Sequence, residues 1–520
     1  MLADLVLMDG NVLTMDSSQP SAEAVAVKKD RIVKVGTNDE IRRWIGDGTK
    51  VIDLQGRTVV PGLTDSHIHV GDFGKFLMWV DLKDADSVKE MQRRIRERAQ
   101  KISEERWIIG SGWDQTRFAE KRYPNRLDLD EASPDNPVIL YHQCGRVCVV
   151  NSKALELAGV KKETESPSGG TIEKDAENGE PTGILRENAT DLVWKTIPES
   201  SEEEVTEGAS LACKKIVEAG VTSIHWILTS STEISVIQKL SVENKLPLRV
   251  YTIIPANLLD QTNSSDSGDD ADRNLGVKVF VDGSLAARTA ALREHYSDDS
   301  ELKGQLLYSQ QELDVLVARI HKANFRLVMH AMGDQAIDMA LTALEKALME
   351  EPRKDHRYRL EQASVLNSEL IQRIKELGVM VSVQPKCILS EFSVWSAVDR
   401  LGSERARWLY PLKTLVNEGI RVVGGSDCPM EPLSPLQGIQ AAVTRGFFPE
   451  ERITVDEALR MYTVNAAYAS FEETVKGSIE AGKLADLTVL SGDPKAVPPS
   501  KIGDINVDVT IVGGKVVYQK

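Results

Sequence analysis

The chain has 520 residues, of which 41% are hydrophobic and 27% charged, and a formal net charge of -16. This composition is typical of a folded globular protein with room for a large barrel and a second domain, and the acidic balance argues against nucleic acid or an anionic membrane surface as the main partner. Five cysteines without a C-x-x-C pair, a start without a signal peptide and the lack of any run of ~20 apolar residues predict a cytoplasmic protein that acts on a small molecule.

The two ends of the chain share a pattern of short β-rich runs separated by turns. Leu5 to Met8 and Ala24 to Val27 near the N-terminus are similar in character to Leu487 to Leu490 and Val509 to Val512 near the C-terminus. Because the ends share a character that the long middle of the chain lacks, we predict one small β-sandwich formed by both chain termini, residues 1–60 and 476–520.

Between the termini, candidate strands alternate with candidate helices. The eight strands are Leu63 to Val70, Val221 to Ile227, Leu248 to Pro255, Val277 to Asp282, Arg326 to His330, Arg357 to Gln362, Val379 to Gln384 and Arg421 to Ser426. Helical stretches such as Asp334 to Glu350, Ser368 to Leu377 and Glu404 to Asn417 follow strands. This alternation predicts an α/β fold, a TIM (β/α)8 barrel over residues 61–475, with its active site at the C-terminal ends of the strands.

The gap between the first and second barrel strands is too long for a loop. Residues 73–203 contain a candidate helix, Ser87 to Lys101, a candidate strand, Val138 to His142, and a Gly-rich hairpin near Ser168. We therefore predict an inserted α+β module between strands 1 and 2. A second irregular stretch, Thr262 to Asn274, is rich in Ser and Asp and is predicted to be a mobile loop over the barrel mouth.

The first barrel strand ends in His67-Ile68-His69. Successive side chains of a strand alternate faces, so the two imidazoles project from one face about 6 to 7 Å apart, close enough to bind one cation. Eight histidines in the chain can fall two apart by chance, so this pair alone does not define a site. Polar residues, however, also fall where other predicted strands end, namely Asp282, His330, Gln362 and Asp427.

Several segments together resemble the amidohydrolase superfamily, in particular its YtcJ-like branch, amidohydrolase family 3. They are Pro61 to His69, Trp107 to Asp114, Asn151 to Leu155, Pro181 to Asn188, Gly220 to Ser223, Lys278 to Leu292, His330 to Ala336, Gln384-Pro385 and Ser426 to Pro429. The resemblance covers nearly the whole chain. It implies a metal-dependent hydrolase that cleaves a C–N amide bond of an N-acyl or N-formyl amine with metal-activated water.

The same resemblance implies roles for individual residues. It assigns His67, His69, His330 and Asp427 to metal binding, with Lys278 as a carboxylated lysine ligand. Asp427 would act as general base and then as general acid, with His330 as a second catalytic residue. The expected cofactor is Zn, with Mn or Fe as alternatives, in one or two ions per chain, and a homodimer is a further expectation. A lysine paired with a carboxylate and a histidine of the core remain the alternatives for Lys278 and His330.

At strand 6 the chain departs from the family pattern Glu-His, because it has Glu361-Gln362. Gln offers a metal only a neutral amide oxygen, a far weaker ligand than imidazole nitrogen. Gln362 is therefore a doubtful ligand. We hypothesise that the cation position formed by His67, His69 and Asp427, with Lys278 as a further candidate ligand, is occupied, whereas the His330 side is weak or empty.

Four further residues are candidate substrate contacts, namely Arg288, Trp113, Asp114 and Arg146. Arg146 stands where relatives often carry His, which favours a substrate with a carboxylate unless Arg146 simply pairs with an acidic neighbour. A structural loop role for Arg288 and a buried position for Trp113 are the alternatives.

Two other functions stay open. A one-metal deaminase of a heterocyclic amine would use an acid shortly after the strand 5 histidine, and Asp334 lies near that spacing, although an N-terminal helix position explains it more simply. A non-catalytic binding protein on an amidohydrolase scaffold would explain Gln362 alone.

Overall fold

An eight-stranded parallel sheet lies at the centre of the fold. The computed structural model describes residues 2–261 and 275–520, so the predicted loop Thr262–Asn274 lies outside the described residues. The barrel strands, numbered 1 to 8 in chain order, are Leu63–Ile68, Val221–Ile227, Arg249–Pro255, Gly276–Phe280, Arg326–Ala331, Arg359–Gln362, Met380–Val383 and Val422–Gly424. Each strand pairs in parallel with the next. The predicted TIM-like barrel is confirmed, with strand ends shifted by at most two residues.

The barrel nearly closes between strands 8 and 1 at the C-terminal end. The backbone N–H of Asp427 donates to His67 O at 2.8 Å, and the N–H of His69 donates to Cys428 O at 3.0 Å. Strand 2 is buried along its whole length, as expected for a parallel strand covered on both faces. These contacts bring the residues that follow strand 8 beside the end of strand 1.

The helices of the barrel unit follow the strands as predicted, with one exception. Their bounds are Val70–Met78, Glu202–Glu218, Ser231–Val242, Gln310–Lys322, Asp334–Glu350, Ser368–Leu377, Pro385–Ser393, Ala397–Ala406, Leu412–Asn417, Pro435–Thr444, Val455–Met461 and Val464–Ala469, with 3-10 turns at Ala256–Gln261, Pro449–Glu451 and Pro499–Asp504. Among the described helices, none is long and apolar enough to cross a membrane.

The prediction of one helix over Glu404–Asn417 is wrong. One helix ends at Ala406 and the next begins at Leu412. Pro411 lacks a backbone N–H and disfavours helical geometry at the residue before it, and Tyr410 adopts a left-handed φ of 50°. The break places Tyr410 outside both helices.

Two further sheets lie outside the barrel, one formed by N-terminal strands alone and one by strands from both ends of the chain. The four-stranded sheet contains Leu5–Met8, Ala24–Lys28, Arg31–Gly36 and Lys50–Asp53, with the helix Asn38–Arg42. The six-stranded sheet contains Asn11–Leu13, Ser21–Ala22, Thr58–Pro61, Leu487–Leu490, Val507–Val512 and Lys515–Gln519. Thr58–Pro61 pairs antiparallel with Leu487–Leu490, which joins the two termini directly. One hydrophobic cluster includes side chains of both sheets, among them Leu7, Val25, Val59, Leu487 and Val509.

Residues Gly74–Gly208 form a compact unit of their own, whereas Met1–Phe73 and Ala209–Lys520 form the other. The smaller unit has a six-stranded sheet of Val80–Asp81, Ile108–Trp113, Val138–His142, Val147–Val150, Gly170–Lys174 and Pro181–Glu187. Its helices are Val88–Ala99, Arg126–Ala132, Ser152–Leu157 and Asp191–Trp194, with a 3-10 turn at Asn188–Thr190. Val138 and Leu140 face one hydrophobic cluster and Ile139 faces a second, so the sheet is covered on both faces.

Candidate metal centre

Two imidazoles and one carboxylate converge where strands 8 and 1 meet. His67 Nε2 lies 3.4 Å from Asp427 Oδ1, and His69 Nε2 lies 3.5 Å from the same oxygen. Ligand atoms of the three residues all lie within 4.8 Å of one another. Asp427 has a left-handed φ of 60°, a conformation that Asp tolerates better than most residues and that is frequent at functional sites. Within the described ranges, this group has the donor types and spacing of a divalent cation site.

A buried carboxylate orients the first of these imidazoles. Glu361 hydrogen-bonds His67 Nδ1, and the Gln384 amide lies 2.9 Å from the same nitrogen. Burial and the nearby Lys278 lower the pKa of His67 to about 4, so its imidazole is neutral at neutral pH. A neutral ring that donates through Nδ1 keeps the lone pair of Nε2 for a metal, an arrangement common behind metal-binding histidines.

Glu361 is in turn held by a buried arginine. Arg359 Nε lies 2.5 Å from Glu361 Oε1, and Arg359 also donates to Ser66 O at 3.0 Å and contacts His225 Nδ1 at 2.7 Å. Burial would raise the pKa of Glu361, but Arg359 and His67 hold it well below its ordinary range. Neither role was predicted from the sequence. A signal was present, because Arg359 and Glu361 lie two residues apart on strand 6 and so share the inner face of the barrel.

Asp427 is ionised in this environment. Burial would raise the pKa of its carboxyl, but the electrostatic effect of His67, together with His69 and Lys278, lowers it below the ordinary value. An ionised carboxylate beside the imidazoles of His67 and His69 can both bind a cation and accept a proton.

Lys278 lies inside the barrel on strand 4. Its side chain is buried, and Nζ has no hydrogen-bond partner among the described residues. Burial lowers the pKa of Lys278 to about 8, against the opposing effect of Glu361 and Asp427. Phe280 shares its face of the strand, with its ring centroid 5.2 Å from Nζ and 44% of the residue exposed. An amine left unpaired in a barrel interior is expected to meet a ligand or a modification.

The side of the mouth formed by strands 4 and 5 is built differently. His330 Nε2 lies 2.9 Å from the backbone carbonyl of Gly283, which can only accept, so Nε2 donates there. Asp282 accepts three backbone N–H groups at 2.9 Å, those of Ala291, Met332 and Gly333. Burial raises the pKa of Asp282 to about 6 against the effect of these N–H groups. His330 is not among the three converging donors, although its Nδ1 keeps a lone pair when Nε2 carries the proton, and Asp282 supports the loops.

Gln362 does not present its oxygen to the group of donors. Its Nε2 donates to Asp427 Oδ2 at 3.3 Å, and its Oε1 accepts from the Tyr410 hydroxyl at 3.0 Å. Gln362 has a φ of 69° and the following Ala363 a φ of 43°, so the backbone after strand 6 is unusual for non-glycine residues. Gln362 is a doubtful ligand for a second reason as well, because its oxygen is bonded to Tyr410 and its nitrogen faces Asp427.

The candidate substrate contacts have other partners. Arg288 forms an ion pair with Asp298 in the barrel unit, with Nη2 and Oδ2 2.6 Å apart. Within the smaller unit, Trp113 is fully buried and donates through Nε1 to Leu140 O at 2.9 Å, so it offers a substrate no surface and its prediction is corrected. The cause is its inward position on a strand of that unit.

The two remaining candidates also lie in the smaller unit. Asp114 accepts from the backbone N–H and the hydroxyl of Thr116 at 2.9 and 2.8 Å, and from Gln143 at 2.6 Å, as a turn-stabilising residue does. Arg146 has an exposed side chain, and its Nη1 lies 3.7 Å from Glu187 Oε1. This contact agrees with the alternative in which Arg146 pairs with an acidic neighbour.

Comparisons with known proteins place this geometry in context. An amidohydrolase family model, Amidohydro_3, matches residues 50–518. YtcJ of Bacillus subtilis (strain 168) is 34% identical over 528 residues, 98% of this chain and 98% of that protein. N-substituted formamide deformylase of Arthrobacter pascens is 29% identical, covering 100% of this chain and 99% of its own length. The solved structure of an uncharacterized metal-dependent hydrolase from Pyrococcus furiosus has a TM-score of 0.78 at 32% identity, with 94% of this chain and 99% of that chain covered.

Proposed function

Since the chain belongs to the Amidohydro_3 amidohydrolase family, we propose that it is a metal-dependent hydrolase that cleaves the C–N bond of an N-acyl or N-formyl amine. The observation that carries the proposal is the convergence of His67, His69 and Asp427 within 4.8 Å. The similarity to N-substituted formamide deformylase supports the choice of amide over other bonds.

The donor set fits a divalent cation with nitrogen and oxygen ligands. His67 Nε2, His69 Nε2 and Asp427 Oδ1 would hold it, and Zn is the first choice, with Mn or Fe as alternatives. A divalent cation bound there lowers the pKa of water and polarises a carbonyl oxygen. The unpaired Nζ of Lys278 supports its carboxylation as a further part of the proposal, because a pKa of about 8 leaves a neutral fraction of amine. Carbon NMR after exposure to labelled bicarbonate tests this step.

The residues of the chain supply the proton transfers. Asp427 is ionised, so it can accept a proton from the attacking water and later donate it to the departing amine nitrogen. Glu361 keeps His67 in the tautomer and orientation that leave Nε2 free. Phe280 exposes its ring on the same strand face as Lys278, which favours a substrate with an apolar or aromatic group.

Formanilide and acetanilide are suitable test substrates, assayed by aniline release with and without added Zn and after chelation. We expect wild-type activity that depends on the cation, and a loss of about 10²- to 10⁴-fold in kcat/KM for Asp427→Asn. Asp334→Asn is the matched control, because Asp334 Oδ1 accepts from the backbone N–H of Arg293 at 2.9 Å and an amide oxygen can keep that bond.

Each other outcome contradicts the proposal in its own way. Full activity in Asp427→Asn would exclude Asp427 as the proton shuttle. Ammonia release from a heterocyclic amine without aniline release would favour the deaminase alternative. Cation binding without turnover of either class would favour a binding protein.

The proposal also includes the two parts of the chain outside the barrel and the cellular context of the protein. The shared cluster of the two terminal sheets supports the predicted β-sandwich, and the compact unit Gly74–Gly208 supports the predicted inserted module. A small-molecule substrate, a cytoplasmic location and a homodimer remain proposals that follow from composition and from the family resemblance.

A further inference from the structure

The amide of Gln362 lies between Asp427 and Tyr410 in only one favourable orientation. Gln362 Nε2 donates to Asp427 Oδ2 at 3.3 Å, and a carboxylate that binds a cation has no proton to donate at this contact. The Tyr410 hydroxyl can donate or accept, so it adapts to either end of the amide. Nε2 therefore faces Asp427, and Oε1, which is the one atom Gln362 could offer a cation, faces Tyr410.

Tyr410 is held in place by a buried arginine. Arg445 donates through Nη1 to Tyr410 O at 2.6 Å, through Nη2 to Leu409 O at 3.2 Å and through Nε to Phe447 O at 2.9 Å. The backbone N–H of Tyr410 donates to Ser364 O at 2.9 Å, two residues after Gln362. Tyr410 is fully buried and has a left-handed φ of 50°, an uncommon conformation for a bulky residue. These bonds fix the hydroxyl that orients Gln362.

We propose that Gln362 is a positioning residue: Tyr410 fixes its amide, the amide holds Asp427 Oδ2, and the centre consequently binds a single divalent cation. Oδ1 of Asp427 then remains as the oxygen that faces His67 and His69. The inference rests on the proposed cation centre, but it does not depend on which bond the protein cleaves.

The number of bound cations tests the first part. Protein loaded with Zn, desalted and analysed by mass spectrometry of the metal should contain one Zn per chain. Gln362→His should raise this to two, because an imidazole at position 362 and Nδ1 of His330, on the neighbouring strand, would offer a second pair of nitrogen donors. Two tightly bound cations in the wild type would overturn the inference. A single cation in folded Gln362→His would overturn the role of Gln362 in setting the number.

The affinity for Zn tests the positioning role. Gln362→Met removes both hydrogen bonds, and we expect a Kd about 10- to 100-fold weaker, the usual cost of losing a partner of a metal ligand. Tyr410→Phe removes only the hydroxyl, and we expect the Kd for Zn to weaken by about 10-fold. The absorption spectrum of the Co-loaded protein should shift in both variants, because Asp427 would lose its fixed orientation.

Two control substitutions delete comparable buried hydrogen bonds elsewhere. Gln92 is as buried as Gln362, each 5% exposed, and its Nε2 donates to Asp128 O at 2.8 Å, so Gln92→Met matches Gln362→Met. Tyr358 is fully buried and its hydroxyl accepts from Arg353 at 3.0 Å, so Tyr358→Phe matches Tyr410→Phe.

Zn affinities of the two variants within twofold of these controls would overturn the inference. All of these measurements are made without substrate. A failure to hydrolyse anilides would therefore count against the proposed function and leave this inference intact.

Discussion

Histidine and aspartate occur on both sides of the barrel mouth, but their side chains have different partners on the two sides. At strands 8 and 1, the Nε2 atoms of His67 and His69 and one oxygen of Asp427 point towards one another. At strands 4 and 5, the oxygens of Asp282 accept hydrogen bonds from backbone N–H groups, and Nε2 of His330 donates to a backbone carbonyl. The two sides thus differ in whether donor atoms from several residues converge, and within the described residues they do so at strands 8 and 1.

The largest expected effect is on the side of strands 8 and 1. His69→Asn replaces one of three nitrogen and oxygen donors by a weaker amide, and we expect the Kd for Zn to weaken by about 10²- to 10³-fold. A structural Zn site is worth roughly 10–16 kcal/mol over four ligands, or about 2.5–4 kcal/mol per ligand. Competition with a chromophoric chelator measures the change, and His295→Asn, on an exposed histidine, is the control. Unchanged affinity would remove His69 from the centre.

Lys278 differs from Asp282 and His330, because it lies on strand 4 but its Nζ has no hydrogen-bond partner among the described residues. Its pKa falls from 10.5 to about 8, so between these values the unfolded chain binds more protons and stability rises with pH. Below pH 8 the buried charge costs about 3 kcal/mol at 1.36 kcal/mol per pKa unit. Metal-free Lys278→Met should therefore be more stable by about this amount at neutral pH.

The pH dependence provides the decisive measurement for Lys278. Urea unfolding of metal-free protein should show the advantage of Lys278→Met shrinking as the pH rises from 8 to 10.5. Lys50→Met, at an exposed lysine, should show no such trend. An advantage that is constant with pH would mean that packing, and not the buried charge, explains it.

Asp282→Asn should separate fold from site on the side of strands 4 and 5. Oδ2 of Asp282 accepts two of the three N–H groups, and an amide has one acceptor oxygen, so at least one N–H group loses its acceptor. We expect a loss of about 2 kcal/mol in the free energy of unfolding and no change in Zn affinity. Asp427→Asn, in contrast, should weaken Zn binding and leave the free energy of unfolding nearly unchanged. The same response in both variants would mean that the two sides do not differ.

The hydrophobic pattern carried most of the information about the fold. Runs such as Val221–Ile227 are apolar because both faces of a parallel strand are covered, so the eight strands could be located within two residues. The single helix predicted over Glu404–Asn417 failed because the periodicity of the window outweighed one local signal, Pro411. Local backbone restrictions at proline decide helix ends more strongly than periodicity does.

The site was less predictable than the fold, since its donors depend on tertiary partners. The spacing of His67 and His69 follows from strand geometry alone. Tyr410, in contrast, lies 48 residues from Gln362, and nothing in either segment predicts that its hydroxyl fixes the amide. The family resemblance predicts His330 as a ligand, and the carbonyl that its Nε2 contacts belongs to Gly283, after strand 4, a partner that no local pattern indicates.

The smallest expected effect tests the comparison most directly. In His330→Gln the amide nitrogen reaches about as far along the side chain as Nε2 and can still donate to Gly283 O, and no atom of the group at strands 8 and 1 is lost. We expect the Kd for Zn to change less than about threefold, because His330 supplies no atom to the group of His67, His69 and Asp427. The chelator competition used for His69→Asn gives both values on one scale. A loss as large as that of His69→Asn would make His330 a ligand and the two sides of the mouth equivalent.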